Sequence, residues 1–260
     1  MKILFIGDIV GRPARDYLAE LLPGLRKTLD LDLIIANGEN SAAGSSITLE
    51  VAKSLFSAGI DVVTSGDHIF KKKEAKEVLE TMDVLRPLNY GELAPGRGYL
   101  IKEVKGFPVA VVNLLGRVFM QPADCPFKAI KSVLETIKQK AKIIIVDVHA
   151  EATSEKLALG YFLSGKVTAV LGTHTHIPTA DERIIDNFTA YLTDCGMAGS
   201  FDSVLGREKS QIIERFITNF PVRFDLAQAD LRMQGVLIEA DQETGKALSI
   251  KRVEYKKDAR

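Results

Sequence analysis

The chain has 260 residues, 46% hydrophobic and 26% charged, enough to bury a sizeable core in a single domain spanning residues 1–260. Basic and acidic side chains number 34 each, so the net charge is zero, which excludes an extended basic surface for nucleic acid but not a small anionic ligand held locally. The first apolar run stops at Gly7 and Asp8, too short for a signal-peptide core, and no later run approaches a membrane span, so the expected compartment is the cytoplasm.

KILFIG reads as a strand, and Ala14 to Leu29 carries helical spacing through Leu18, Leu21, Leu22, Leu25 and Leu29. LDLIIA is a second strand, followed by a helix from Thr48 to Ala58 with Gly59 as its stop. IDVVTS is a third strand, with a helix expected over Lys72 to Met82. Repeated β-α units of this kind imply parallel strands with right-handed crossovers. GYLIKEV and FPVAVVNL, separated by Lys105-Gly106, predict an antiparallel hairpin. Helices over Phe127–Lys140 and Glu155–Leu163 alternate with the strands KIIIVDV and KVTAVLG. The last stretch offers strands at ERIIDN, FTAYLT, QGVLIEA and ALSIKRVEY and a helix over Glu208 to Ile217. The fold class expected is α/β, with two sheets, helices outside and a site along one sheet edge. Cys125 and Cys195 lack paired spacing and read as buried or loop thiols.

All four histidines fall in short motifs after strand-like runs: His68 in VVTSGDH, His149 in IIIVDVH, and His174 and His176 in TAVLGTHTH. Asp8 ends the first strand, where a turn or helix N-cap aspartate is the bland alternative. Glu39 and Asn40 follow the second strand in NGEN, and a carboxylate there is costly unless paired or ligating. Asp67 precedes His68 at the third strand. Alternation places Asp147 and His149 on one face, and an H-x-H at a strand end points both imidazoles the same way. Oxygen and imidazole donors without thiolate favour Mn, Fe or Zn. Seven such residues are too many for one tetrahedral zinc, so two ions sharing a carboxylate fit the inventory better.

The motifs IGDIVG, NGEN, SGDH, VDVHAE and GTHTH, in this order, resemble the calcineurin-like metallophosphoesterase superfamily, and in detail its bacterial YmdB-type branch, similar to 2′,3′-cyclic-nucleotide 2′-phosphodiesterases. LRPLNY, NLLGRVFM and TDCGMAGSFDSVLG add to the likeness. The resemblance implies a four-layer α/β/β/α sandwich of the metallo-dependent phosphatase type. It implies two divalent or transition metal ions, Fe or Mn first and Zn third. Asp8, Glu39, Asn40 and His176 would surround one, with Glu39 bridging to a second held by Asp67, His149 and His174. A metal-bridging hydroxide would attack phosphorus, and His68 would protonate the leaving oxygen, a role that imidazole suits near neutral pH. The substrate implied is a small cyclic nucleotide, 2′,3′-cyclic NMP giving 3′-NMP. A phosphomonoesterase of the same superfamily and a metal-bound regulator acting through a partner are the alternatives. A homo-oligomer is left open.

Two positions depart from the usual pattern. The family has Asn where this chain has Asp67, which predicts tighter ion binding and a less acidic bridging water. Val10 stands where the wider superfamily has His, and Asn40 is expected to supply that ligand. Lys71, Lys72 and Lys73 read as a solvated first helical turn, with phosphate steering as the alternative. Arg117 is a candidate phosphate contact or structural salt bridge. Asp147 and Glu151 are candidates to orient the histidines, against surface and capping roles. Asp194 to Ser203 is expected to form a flexible lip with no functional role for Asp194, and Tyr90 and Phe119 are expected in the core.

Overall fold

In the first strand, β1 (Lys2–Ile9), Ile3 and Phe5 enter one hydrophobic core while Leu4 and Ile6 enter another. A strand covered on both faces must be apolar at every position, which is why these segments read as continuous runs rather than alternating ones. The structure is a computed structural model and describes residues 1–257.

After β1 come α1 (Gly11–Leu29), β2 (Leu33–Asn37), α2 (Leu49–Ser57), β3 (Val62–Thr64), a 3-10 turn (Ile69–Lys71) and α3 (Ala75–Thr81). The antiparallel hairpin β4 (Tyr99–Val104) and β5 (Phe107–Leu115) leads through α4 (Pro126–Lys140) to β6 (Ile143–His149), α5 (Thr153–Leu163) and β7 (Ala169–Thr173). The chain closes with β8 (Arg183–Ile185), β9 (Thr189–Leu192), β10 (Met197–Ser200), α6 (Lys209–Thr218), β11 (Leu231–Ala240) and β12 (Ala247–Lys256).

One six-stranded sheet runs β12-β11-β10-β1-β2-β3, the other β4-β5-β6-β7-β9-β8. Leu18, Leu22, Leu55 and Val78 from α1, α2 and α3 cover the outer face of the first sheet. Ile3, Phe5 and Ile35 meet Val111, Ile145 and Leu171 between the sheets. Ile130, Leu134, Leu159 and Leu163 of α4 and α5 cover the second sheet. This is the expected four-layer α/β/β/α sandwich. The parallel pairs β1–β2, β2–β3, β5–β6 and β6–β7 bring their carboxyl ends to one edge.

Local chemistry explains where the expected elements shift. Helix α1 begins at Gly11 rather than Ala14, because Arg12 and Pro13 sit in a first turn whose N–H groups need no intrahelical partner. Thr48 caps α2 by accepting from Val51 N at 3.3 Å, as its position implies. Lys71 ends the 3-10 turn, and Lys72 and Lys73 precede the shorter α3 rather than opening it. The stretch expected as a flexible lip contains the buried strand β10, which takes over from β11 beside β1. A Cβ on Gly7 would lie 2.0 Å from Gly196 O at that handover, so this glycine permits the close strand approach. Phe119 is 88% exposed instead of in the core, on a loop whose backbone Arg117 and Val118 N–H groups are held by the Glu155 carboxylate. Tyr90 is half-buried and packs on the first core. Among the described residues no helix is long and apolar enough to cross a membrane, and both cysteines are free.

Candidate metal centre

Asp8 lies inside β1 and is fully buried, so it caps nothing; Val10 holds the N-cap position of α1 without a side-chain bond. Glu39 and Asn40 sit in the turn after β2, and Asp67 and His68 in the turn after β3. His149 is the last residue of β6. Strand β7 ends at Thr173, so His174 and His176 are not on a strand, and strand alternation does not set their directions. Both have positive φ, 101° and 63°, a backbone cost that recurs where function dictates geometry. Their loop is held by His174 N donating to Asp8 Oδ2 at 3.0 Å and Thr175 N to Asp194 Oδ2 at 3.2 Å. The two rings consequently diverge.

His174 Nδ1 lies 3.1 Å from His149 Nε2, which lies 3.0 Å from Glu39 Oε1 and 3.6 Å from Asp67 Oδ1. One ligand atom from each of Glu39, Asp67, His149 and His174 falls within 4.8 Å of the others, a group that could hold a metal ion. His176 goes to the other side, its Nε2 3.7 Å from Asp8 Oδ1 and 3.2 Å from Asn40 Nδ2. Asn40 turns its Nδ2 toward Asp8 and His176, while Oδ1 accepts from His68 Nδ1 at 3.1 Å. Glu39 Oε2 accepts from His68 N at 3.0 Å, which anchors the second turn on the first. Gly66 is required between them: a Cβ there would strike His149 Cδ2 at 2.1 Å and Glu39 Oε2 at 2.3 Å.

Partners behind the rings fix which nitrogen faces the cluster. His149 Nδ1 lies 2.9 Å from Thr173 Oγ1, and that hydroxyl donates to Asp147 Oδ1 at 2.7 Å. The ring therefore carries its Nδ1 proton outward and turns Nε2 to the cluster. His174 Nε2 lies 3.2 Å from Glu151 Oε2, leaving Nδ1 to the cluster. Asp147 is wholly buried and also accepts from Asn37 Nδ2 at 3.0 Å and from Thr64. Asp147 thus stands behind His149 in the interior, whereas Glu151 backs His174 from an exposed position at the cleft. Sequence reasoning misses Asn37, although it opens NGEN; its Oδ1 also accepts Glu39 N at 3.2 Å.

This donor set fits a cation. Only carboxylate oxygens and imidazole nitrogens point into the cluster, and apart from the His149 ring, Glu39 Oε1 and Asp67 Oδ1 are buried without a hydrogen-bond partner. Such atoms are costly to bury unless a positive charge meets them. Without a metal, protons do so. Burial would depress the His149 pKa, yet Glu39 and Asp67 beside it hold it well above the usual range. Burial pushes the Asp8 carboxyl up to about 7, with Glu39 and Asp194 adding to the effect against His149. Burial would raise Glu39 and Asp67 too, but His149 and His68 keep both below the usual range. His174 and His176 are lowered to about 4, chiefly by burial.

Asp194, expected in a flexible lip, is fully buried and accepts from Lys156 Nζ at 2.8 Å and Gly196 N at 2.9 Å. Arg117 is exposed and lines a separate cleft with Asn89, Asp124 and Lys128. Glu39, Asn40, His68, His174 and His176 floor a cleft of about 560 Å³ whose far wall comes from Leu205 to Phe224.

Known proteins are similar to this chain over nearly its whole length. The chain is 43% identical over 254 residues to the 2′,3′-cyclic-nucleotide 2′-phosphodiesterase of Bacillus subtilis, covering 97% of this chain and 96% of the relative. A hypothetical protein of Thermus thermophilus superposes with a TM-score of 0.94 at 40% identity, over 99% of this chain and 100% of that one. A crystal structure described as a novel phosphatase of Mycoplasma pneumoniae gives a TM-score of 0.92 at 34% identity, over 99% and 94%. With the YmdB-like protein profile matching residues 4–253, the chain belongs to the YmdB-like protein family.

Proposed function

We propose that this chain is a metal-dependent phosphodiesterase that opens 2′,3′-cyclic nucleotides at the 2′ ester bond and releases 3′-nucleotides. The observation that carries this reading is the convergence of Glu39, Asp67, His149 and His174, two carboxylates and two imidazoles, with Glu39 and His174 reaching an open cleft. The Bacillus subtilis relative's activity supports the choice of substrate.

In this reading Glu39, Asp67, His149 and His174 would hold one cation. Asp8, Asn40 and His176 would hold a second, with Glu39 shared. Asn40 would contribute its oxygen with its amide turned over, and Glu39 Oε1, now 3.6 Å from His68 Nδ1, is the nearest other acceptor for that ring. Mn²⁺ and Fe²⁺ suit this mixture of carboxylate, amide and imidazole donors, with Zn²⁺ third. When bound, two such ions draw charge from the phosphoryl oxygens and acidify the attacking water.

The chain's own residues do the rest. His68 is 29% exposed toward the cleft whereas His149 is fully enclosed, so His68 is the ring that can reach a leaving group. With Nδ1 held by Asn40 or Glu39, its Nε2 carries the proton that the departing 2′ oxygen needs. Thr173 and Glu151 keep the rings of His149 and His174 from rotating. Product identity tests the reading: ³¹P NMR of 2′,3′-cyclic AMP with the Mn²⁺-loaded protein should show 3′-AMP. A 2′-AMP product, or none, contradicts it. His68→Ala should slow this reaction by roughly 10²–10⁴-fold. It should slow a diester with a p-nitrophenolate leaving group far less, since that group departs without a proton.

A further inference from the structure

Helix α6 has no buried residue, yet it is amphipathic and carries a run of apolar side chains. Ile212 and Phe216, four positions apart, line the cleft above the acidic floor together with Phe224 and Leu205. Ile213 and Ile217 lie outside that lining and face solvent. The segment is fixed in place: the Arg207 guanidinium donates to Gly44 O at 2.9 Å and Phe224 O at 3.2 Å, tying it to the loop after β2 that carries Glu39 and Asn40. The cleft therefore has a charged floor and an apolar, aromatic wall joined by one arginine. Phe216 remains 78% exposed there, so most of its apolar surface is free to be covered.

Given the phosphodiesterase reading above, on which this rests, we propose that Phe216 is a specificity-determining residue that stacks on the nucleobase of the substrate. A cleft of about 560 Å³ has room for a mononucleotide beside the floor. The wall offers a base chiefly apolar faces. Arg207 is engaged by backbone carbonyls, one Arg215 nitrogen by Asn219 O, and Leu205, Ile212, Phe216 and Phe224 are hydrocarbon. Stacking of this kind accepts any base because every base has a π-face. The site therefore prefers nucleosides over base-free diesters, favours the larger purines, and discriminates weakly among bases of one size.

The test compares wild type, Phe216→Ala, Phe216→Tyr and Ile213→Ala, all on an exposed helix whose loss removes nothing from the core. The substrates are 2′,3′-cyclic AMP and the abasic ribose 2,3-cyclic phosphate, with Mn²⁺. Phe216→Ala should lower the preference for the nucleotide, as a ratio of kcat/KM values, on the order of tenfold, through KM rather than kcat. Phe216→Tyr should restore the preference, and Ile213→Ala should leave it at the wild-type value. An unchanged preference in Phe216→Ala, or an equal loss in Ile213→Ala, overturns the proposal. Titration with 3′-AMP, followed by calorimetry, separates the two readings. If wild type turns over neither substrate, the phosphodiesterase reading fails, while 3′-AMP binding about tenfold weaker in Phe216→Ala still supports the stacking residue. Equal 3′-AMP affinity in the two proteins, or none in either, overturns it.

Discussion

The Thr173 hydroxyl lies between His149 Nδ1, at 2.9 Å, and Asp147 Oδ1, at 2.7 Å, so a buried carboxylate fixes the ring through one intervening side chain. Thr173→Val keeps the shape and removes the link, leaving both the Nδ1 proton and a carboxylate oxygen without a partner. Supporting partners of this kind typically hold about 10–100-fold of metal affinity. Mn²⁺ affinity, measured by competition with a chelator, should fall by that factor. An unchanged affinity would mean the ring is held by packing alone.

Asp8 gives the pH dependence its sign. Burial raises its folded pKa to about 7 from 3.8, so between about pH 4 and 7 the metal-free folded chain keeps a proton that the unfolded chain has released. Its contribution to the stability of the metal-free protein is therefore fully present below pH 4 and is lost as pH rises through 7. A cation needs the carboxylate, and also the His149 lone pair, whose proton is held well above the usual range. Mn²⁺ binding near pH 6.5 should thus release protons and tighten as pH rises. Calorimetry in two buffers of different ionisation enthalpy reads the proton count directly; zero release with pH-independent affinity contradicts the assignment.

Asp67 adds a negative charge where Asn is usual in the resemblance. Its Oδ1 is buried with no hydrogen-bond partner, 3.6 Å from His149 Nε2 and 3.9 Å from His174 Nδ1. Asp67→Asn should weaken Mn²⁺ binding and shift the alkaline-going limb of the kcat/KM profile to lower pH, because less ligand charge leaves a more acidic nucleophilic water. Identical profiles and affinities in the two proteins would show that the carboxylate does not ligate.

The Lys156–Asp194 pair is fully enclosed, with Nζ to Oδ2 at 2.8 Å, and the same Oδ2 holds Thr175 N between His174 and His176. Lys156→Met strands a buried charge, and removing one partner of such a pair costs about 3–5 kcal/mol. Denaturant unfolding should register that loss, and Asp194→Asn in the same chain should recover part of it. A single variant as stable as wild type would show that the pair adds nothing to stability.

Sequence makes the strands and their functional ends legible because both sheets are covered on two faces, which writes each strand as an apolar run with a polar residue where it leaves the core. Asp8, Glu39, Asp67 and His149 are visible for that reason. What periodicity cannot report is who meets whom across long separations. Lys156 looks like any helical lysine until Asp194, 38 positions on, is brought against it. MAGS has too little β character to announce β10, which exists because β1 offers it an edge. The helical pattern of α6 is readable, but not that its apolar face lines a cleft instead of entering a core. His174 and His176 are legible as residues, whereas their divergence follows from positive φ values set by Asp8 and Asp194.

The most direct measurement is a Mn²⁺ titration of metal-stripped protein in which bound ions per chain and turnover of 2′,3′-cyclic AMP are read together. The account predicts two ions per chain in wild type, with turnover appearing as the second binds, and fewer ions with no turnover in Glu39→Gln. Full activity at one ion per chain, or two ions retained by Glu39→Gln with wild-type affinity, would contradict a centre built around a shared Glu39.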